Sequence, residues 1–100
     1  MDQAAAITTV QKYLKDISRI IHFESAWLFG SYARKQQRDD SDIDVGIIVK
    51  SLDTDYLSTM KKLYQIRRHI DVRIEPHLFV TDKDPLEFYR EVAKTGIRLS

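Results

Sequence analysis

Ile7, Val10, Leu14, Ile17 and Ile21 recur every three or four residues, a spacing that predicts a helix from Asp2 to about His22. Lys12, Lys15, Asp16 and Arg19 fall mostly off that stripe, so the helix packs on a sheet by its apolar side. Ser25 to Phe29 reads as a short apolar strand containing Trp27, and Gly30 breaks it. Ser31 is placed to cap a short helix through Tyr32-Ala33-Arg34-Lys35, and Gln36 to Ser41 is a polar loop. From Asp42 to Val49 the chain is strand-like: Ile43, Val45, Ile47 and Val49 share one face, while Asp42 and Asp44 share the other.

Thr54 to Arg68 returns to helical spacing, with an acidic start (Asp53, Asp55) and a basic end (Arg67, Arg68) that suit the helix dipole. His69 to Glu75 alternates again, with Ile70, Val72 and Ile74 opposite Asp71, Arg73 and Glu75. Pro76 ends that strand or marks a sheet edge, and Leu78-Phe79-Val80 is a possible further short strand. Asp84-Pro85 opens a last helix with an N-cap and a proline at the first helical position. Leu86, Tyr89, Val92 and Ala93 form its expected buried stripe, and Gly96 stops it before a short strand at Ile97 and Leu99. Helices and strands thus alternate in an α+β order, without linker or repeat, as expected of one domain spanning residues 1–100.

Composition narrows the function. With 43% hydrophobic and 31% charged residues the chain is of ordinary globular type. Its longest apolar run, Ile43 to Val49, is strand-sized, and no signal peptide is evident at the start. The absence of cysteine rules out disulfides and thiolate metal sites and agrees with a cytoplasmic location. A net charge of only +1 disfavours a long nucleic-acid substrate, which calls for a clear basic excess. Lys61-Lys62 and Arg67-Arg68 have acidic neighbours and read as a solvated helix face. His22, His69 and His77 are scattered without ligand spacing and read as boundary or surface histidines.

The candidate chemistry lies between Gly30 and Asp71. A strand, Gly30-Ser31 and a helix start can offer backbone N–H groups and a hydroxyl to phosphate, with Arg34 one turn on; the same motif also serves as a plain capped turn. Three glycines cannot build a Walker A loop or a Rossmann fingerprint, so any nucleotide site must use another cradle. Aspartate is a poor strand former, so Asp42 and Asp44 mark either a solvated strand start or a metal site. Two charges about 4 Å apart repel by roughly 1 kcal/mol in water and about 4 kcal/mol at an effective dielectric near 20, so convergence in a cleft calls for a cation. Asp71 is the natural third carboxylate if its strand neighbours that of Asp44; otherwise it is a surface residue paired with Arg73 or Arg68. Glu75 shares its face but sits four residues along, roughly 13 Å at strand rise, so Asp71 is preferred.

Leu28-Phe29-Gly30-Ser31-Tyr32-Ala33-Arg34 followed by Ser41-Asp42-Ile43-Asp44 resembles the polymerase-beta-like nucleotidyltransferase superfamily, whose signature is Gly-Ser, about ten residues, then Asp-X-Asp. The closest likeness is to the minimal nucleotidyltransferases, short proteins often encoded beside a helical HEPN partner, and it extends through Asp71–Pro76 to Glu91–Ile97. Lys35 is a departure, because family members often carry glycine after the arginine. The resemblance implies a small mixed sheet packed with helices. It also implies that Gly30, Ser31 and Arg34 meet the phosphates of ATP, and that Asp42, Asp44 and Asp71 hold two magnesium ions, with Asp71 as a base. The implied reaction is transfer of AMP to a hydroxyl, supplied by a tyrosine of a HEPN-type toxin to which this chain would be the antitoxin. Two alternatives stand beside it: neutralisation of the partner by complex formation alone, and transfer to a small molecule of aminoglycoside type.

Overall fold

Asp2 lies outside the first helix and caps it, its carboxylate accepting from Ala5 N–H at 2.7 Å. The computed structural model describes residues 1–100. Helix α1 (Gln3–Ile17) ends before His22, where Ser18 turns its hydroxyl back onto the Lys15 carbonyl. Strands β1 (Ser25–Phe29) and β2 (Ile43–Val49) follow, then α2 (Tyr56–Arg67), β3 (Ile74–Val80), a π-helical segment (Tyr89–Ala93) and β4 (Ile97–Arg98). The sheet order is β3-β2-β1-β4. β1 pairs antiparallel with β2 and β4, while β2 and β3 run parallel, so the sheet is mixed.

Alternation along β2 separates two cores. Ile43, Val45, Ile47 and Val49 lie fully buried under α1 and α2, joined by Val10, Tyr13, Ile17 and Leu63. Tyr13 is wholly enclosed and donates its hydroxyl to the Leu63 carbonyl at 2.8 Å, tying α1 to α2. Burial pushes the Tyr13 phenol well above its ordinary pKa, so it stays a neutral donor. On the other face Ile48, Phe79, Phe88 and Val92 form a smaller cluster. Trp27 meets Phe88 edge-on at 5.2 Å, so it is sheet packing, as its place in an apolar strand suggests.

Three sequence expectations are corrected. The alternating stretch from His69 is not a strand: residues 68–70 continue α2 as a turn, and β3 begins only at Ile74. Arg67 holds that turn by donating to the carbonyls of Val72 and Ile74. β3 then runs through Pro76, which an edge strand tolerates because one side of it has no ladder to supply. In the last helix Phe88 and Val92 face the sheet, whereas Leu86 and Tyr89 are each 61% exposed; wide i→i+5 turns rotate the stripe. The Asp84 cap is as expected, accepting from Leu86 N–H and Glu87 N–H. No helix is long and apolar enough to cross a membrane.

Replacing Tyr13 with Phe removes one buried hydrogen bond without changing shape. It is expected to cost about 1 kcal/mol in urea unfolding.

Candidate functional site

β1 ends at Phe29, which stands opposite Asp44 in the antiparallel register; Asp44 in turn stands opposite Glu75 in the parallel one. Phe29, Asp44 and Glu75 therefore form one row across three strands, on the face turned away from α1 and α2. His77 follows Glu75 on the same face, and its Nε2 lies 3.1 Å from Asp44 Oδ1. Phe29 backs the imidazole edge-on at 4.9 Å. Ligand atoms of Asp44, Glu75 and His77 all fall within 4.8 Å of one another, a spacing that could hold a metal ion.

Asp42 comes just before β2 and is exposed, but its carboxylate reaches Glu75. Burial, the hydrogen bond shared with Asp42 and the negative charges of Asp44 and Asp42 hold the Glu75 carboxyl above the usual range. The hydrogen bond to Asp44 holds His77 above its ordinary value, against the effect of burial. Two carboxylates and an imidazole facing one another, with Asp42 beside Glu75, fit a divalent cation, whose charge relieves the repulsion at Glu75.

Asp71 is elsewhere. It lies in the turn before β3, and both of its oxygens are taken by the Arg73 fork, at 3.0 Å to Nε and 2.7 Å to Nη2. Arg73 N–H adds a third bond at 2.9 Å, and the guanidinium holds the Asp71 carboxyl below its usual pKa. The expectation that Asp71 joins Asp42 and Asp44 is thus not met; Glu75 is the carboxylate brought to the pair. The 13 Å separation that disfavoured Glu75 assumed a strand beginning near Asp71. With β3 starting at Ile74, the parallel register sets Glu75 directly beside Asp44. His77 was likewise read as a scattered histidine, and the missed signal is its i+2 relation to Glu75 on a strand.

The Gly30-Ser31 turn adjoins the row. Gly30 has φ +73°, and a Cβ there would run into Asp44 Oδ2, so only glycine lets the backbone pass this close to the carboxylate. Gly30 and residues 31–35 form a turn, not the expected short helix, closed by Gln36 N–H on the Ser31 carbonyl at 2.9 Å. Gln3 clamps it from α1 by donating to the carbonyls of Tyr32 and Ala33 at 3.0 and 3.2 Å. Ser31 is half-buried, and Arg34 is exposed with no partner for its guanidinium. Lys35 takes φ +55°, the conformation that glycine adopts freely.

Residues 8–100 match the family model described as polymerase beta, nucleotidyltransferase. The chain belongs to that family. It is a nucleotidyltransferase domain, and its carboxylate row lies beside the Gly-Ser turn of the family signature. A protein of Methanocaldococcus jannaschii to which protein adenylyltransferase activity is attributed is 34% identical over 79 residues, covering 73% of this chain and 78% of its own. A crystal structure from Sulfolobus solfataricus, attributed to a nucleotidyltransferase, superposes with a TM-score of 0.68 at 18% identity, covering 96% of this chain and 80% of that one. A toxin–antitoxin structure with AMP-PNP gives 0.67 at 23% identity, covering 94% and 72%. At these identities the structural likeness is one of fold.

Four substitutions have expected outcomes. Glu75→Gln raises the melting temperature of the metal-free protein at neutral pH, because folding lifts the Glu75 pKa and so disfavours its charged form. That gain shrinks as pH falls through the raised folded value and is gone below about 4.5, where the unfolded carboxyl is protonated as well, while Asp71→Asn lowers the melting temperature by loosening Arg73. Lys35→Gly unfolds no more readily than the parent, whereas Lys35→Val, forced into the left-handed region, loses about 1 kcal/mol in the same urea assay.

Proposed function

We propose that this domain transfers AMP from ATP to a hydroxyl group of a partner protein, with magnesium as the metal. The observation that carries the reading is the row formed by Asp44 and Glu75, with Asp42 reaching Glu75, beside a glycine whose missing side chain keeps the turn against Asp44. The M. jannaschii relative supports transfer to protein, and the AMP-PNP complex of the toxin–antitoxin neighbour supports an adenine nucleotide. That neighbour, together with a second solved toxin–antitoxin structure, a mutant of MntA–HpeT (TM-score 0.64), supports a toxin as partner and an antitoxin role for this chain. A HEPN-type helical protein offering a tyrosine is the partner this reading names, and the cytoplasm is where the two would meet.

In this reading Asp42, Asp44 and Glu75 hold two magnesium ions, and Glu75 takes the position expected of Asp71. Bound there, magnesium supplies neutralisation of phosphate charge and acidification of the acceptor hydroxyl. Backbone N–H groups of the Gly30-Ser31 turn and the Ser31 hydroxyl bind the β- and γ-phosphates, and the unpaired Arg34 guanidinium adds charge. The acceptor oxygen forms a bond to the α-phosphorus, and the bond from that phosphorus to the β-phosphate oxygen breaks. Pyrophosphate leaves, and the hydroxyl proton passes to Glu75.

Incubation of the purified protein with Mg-ATP and the product of the adjacent gene is expected to add one adenylyl group to that product, detected by mass spectrometry. Asp44→Asn and Glu75→Gln should each slow the transfer by about a thousandfold, while Asp71→Asn retains most of it. No mass gain with the parent overturns the reading. Neutralisation that survives the Asp42→Ala, Asp44→Ala double substitution would instead assign the antitoxin role to complex formation alone.

A further inference from the structure

β3 is an edge strand, and its free side is not bare sheet. The bonds at its two ends, from Ile43 N–H to the Arg73 carbonyl and from Thr81 N–H to the Val49 carbonyl, turn odd-numbered residues toward β2. Even-numbered residues therefore point their backbone groups outward. Ile74 is satisfied there, since its carbonyl accepts from Arg67 and its N–H donates to Asp71. The Val80 carbonyl is likewise taken, by the N–H groups of Lys83 and Asp84. Pro76 has no N–H to lose, which is why the edge accepts it. What remains is a run of four unpaired groups: the Pro76 carbonyl, both groups of Leu78, and the Val80 N–H.

Pro76 and Leu78 line a groove of about 360 Å³, and Val80 lies just beyond its end. One turn-spaced row of α2, Tyr56, Met60 and Tyr64, forms one bank, and Glu87 and Glu91 form the other. The groove runs into the candidate site, because Glu75 and His77 line its end. Three carboxylates and no lysine or arginine line it, so it repels a triphosphate and attracts a cationic chain. Leu78 is three residues from Glu75, roughly 10 Å at strand rise, so a segment paired at Leu78 brings its own hydroxyl residue to the carboxylate row within about three residues.

We propose that this groove binds an extended, positively charged segment of the acceptor protein by strand addition to β3, with Glu87 and Glu91 selecting its charge. The proposal deepens the protein-acceptor reading above and rests on it. Its test is a nitrogen–proton NMR titration with a blocked pentapeptide of alternating arginine and valine around one tyrosine, and with its glutamate counterpart. The arginine peptide is expected to slow hydrogen exchange at the Leu78 and Val80 amides and to bind about tenfold more tightly than the glutamate peptide. Exposed Glu87→Gln, Glu91→Gln substitutions should abolish that preference, and methylation of the peptide's backbone nitrogens should abolish binding.

No protection at Leu78 and Val80 at millimolar peptide, equal binding of both peptides, or occupation of the groove by adenosine in place of peptide would each overturn the proposal. Asp44→Asn separates the two readings. Groove binding retained in that variant while the parent transfers nothing sinks the enzymatic reading alone. Transfer by the parent without groove binding sinks this one alone.

Discussion

The parallel register of β2 and β3 is the constraint on which the site depends. Because side chains alternate, setting Asp44 opposite Glu75 rather than opposite a neighbour decides which carboxylates meet and which residues line the core. A one-residue slip would send Ile74 to the site face and Glu75 into the core beneath α1 and α2. The apolar set of Ile43, Val45, Ile47, Ile74 and Leu78 forbids that slip, so the energy that packs the core also aims the acids. Stability and chemistry are two readings of the same strand pairing.

The turn beside the row shows how little freedom the site leaves its backbone. Gly30 must be glycine twice over, once for its positive φ and once for the approach of Asp44. Lys35 lacks that excuse and still takes the left-handed conformation, because the turn closes through Gln36 and is clamped from α1 by Gln3. The family preference for glycine after the arginine is thus a preference about conformation, and this chain keeps the conformation with a lysine.

Much of this was legible in the residues. The strand of Asp42 to Val49, its buried face, the Gly30 break and the cap at Asp84 follow from alternation and cap chemistry, and the structure carries them with shifts of a residue or so. What misled was a second alternating run, His69 to Glu75, whose period matches a strand although it holds a turn. Arg67 and Arg73 spend their guanidiniums fastening that turn, an arrangement of long side chains that no period reveals. Displacing the start of β3 exchanged Asp71 for Glu75 and brought in His77. Pro76 was the remaining clue: it halted the expected strand, yet on an edge it can sit in the middle of one.

The two faces of the sheet are unequally anchored. The large core joins α1 and α2 to all three long strands, whereas the C-terminal π-helical segment rests on a cluster of four buried residues. Opening that side exposes little apolar surface and leaves β2 and β3 paired, so it requires far less free energy than global unfolding. The carboxylate row thus sits on strands held by the larger core, while the bank that carries Glu87 and Glu91 is held by the smaller cluster. A firmly held pair of strands and a lightly held helical segment meet along β3, where the candidate site and the proposed groove adjoin.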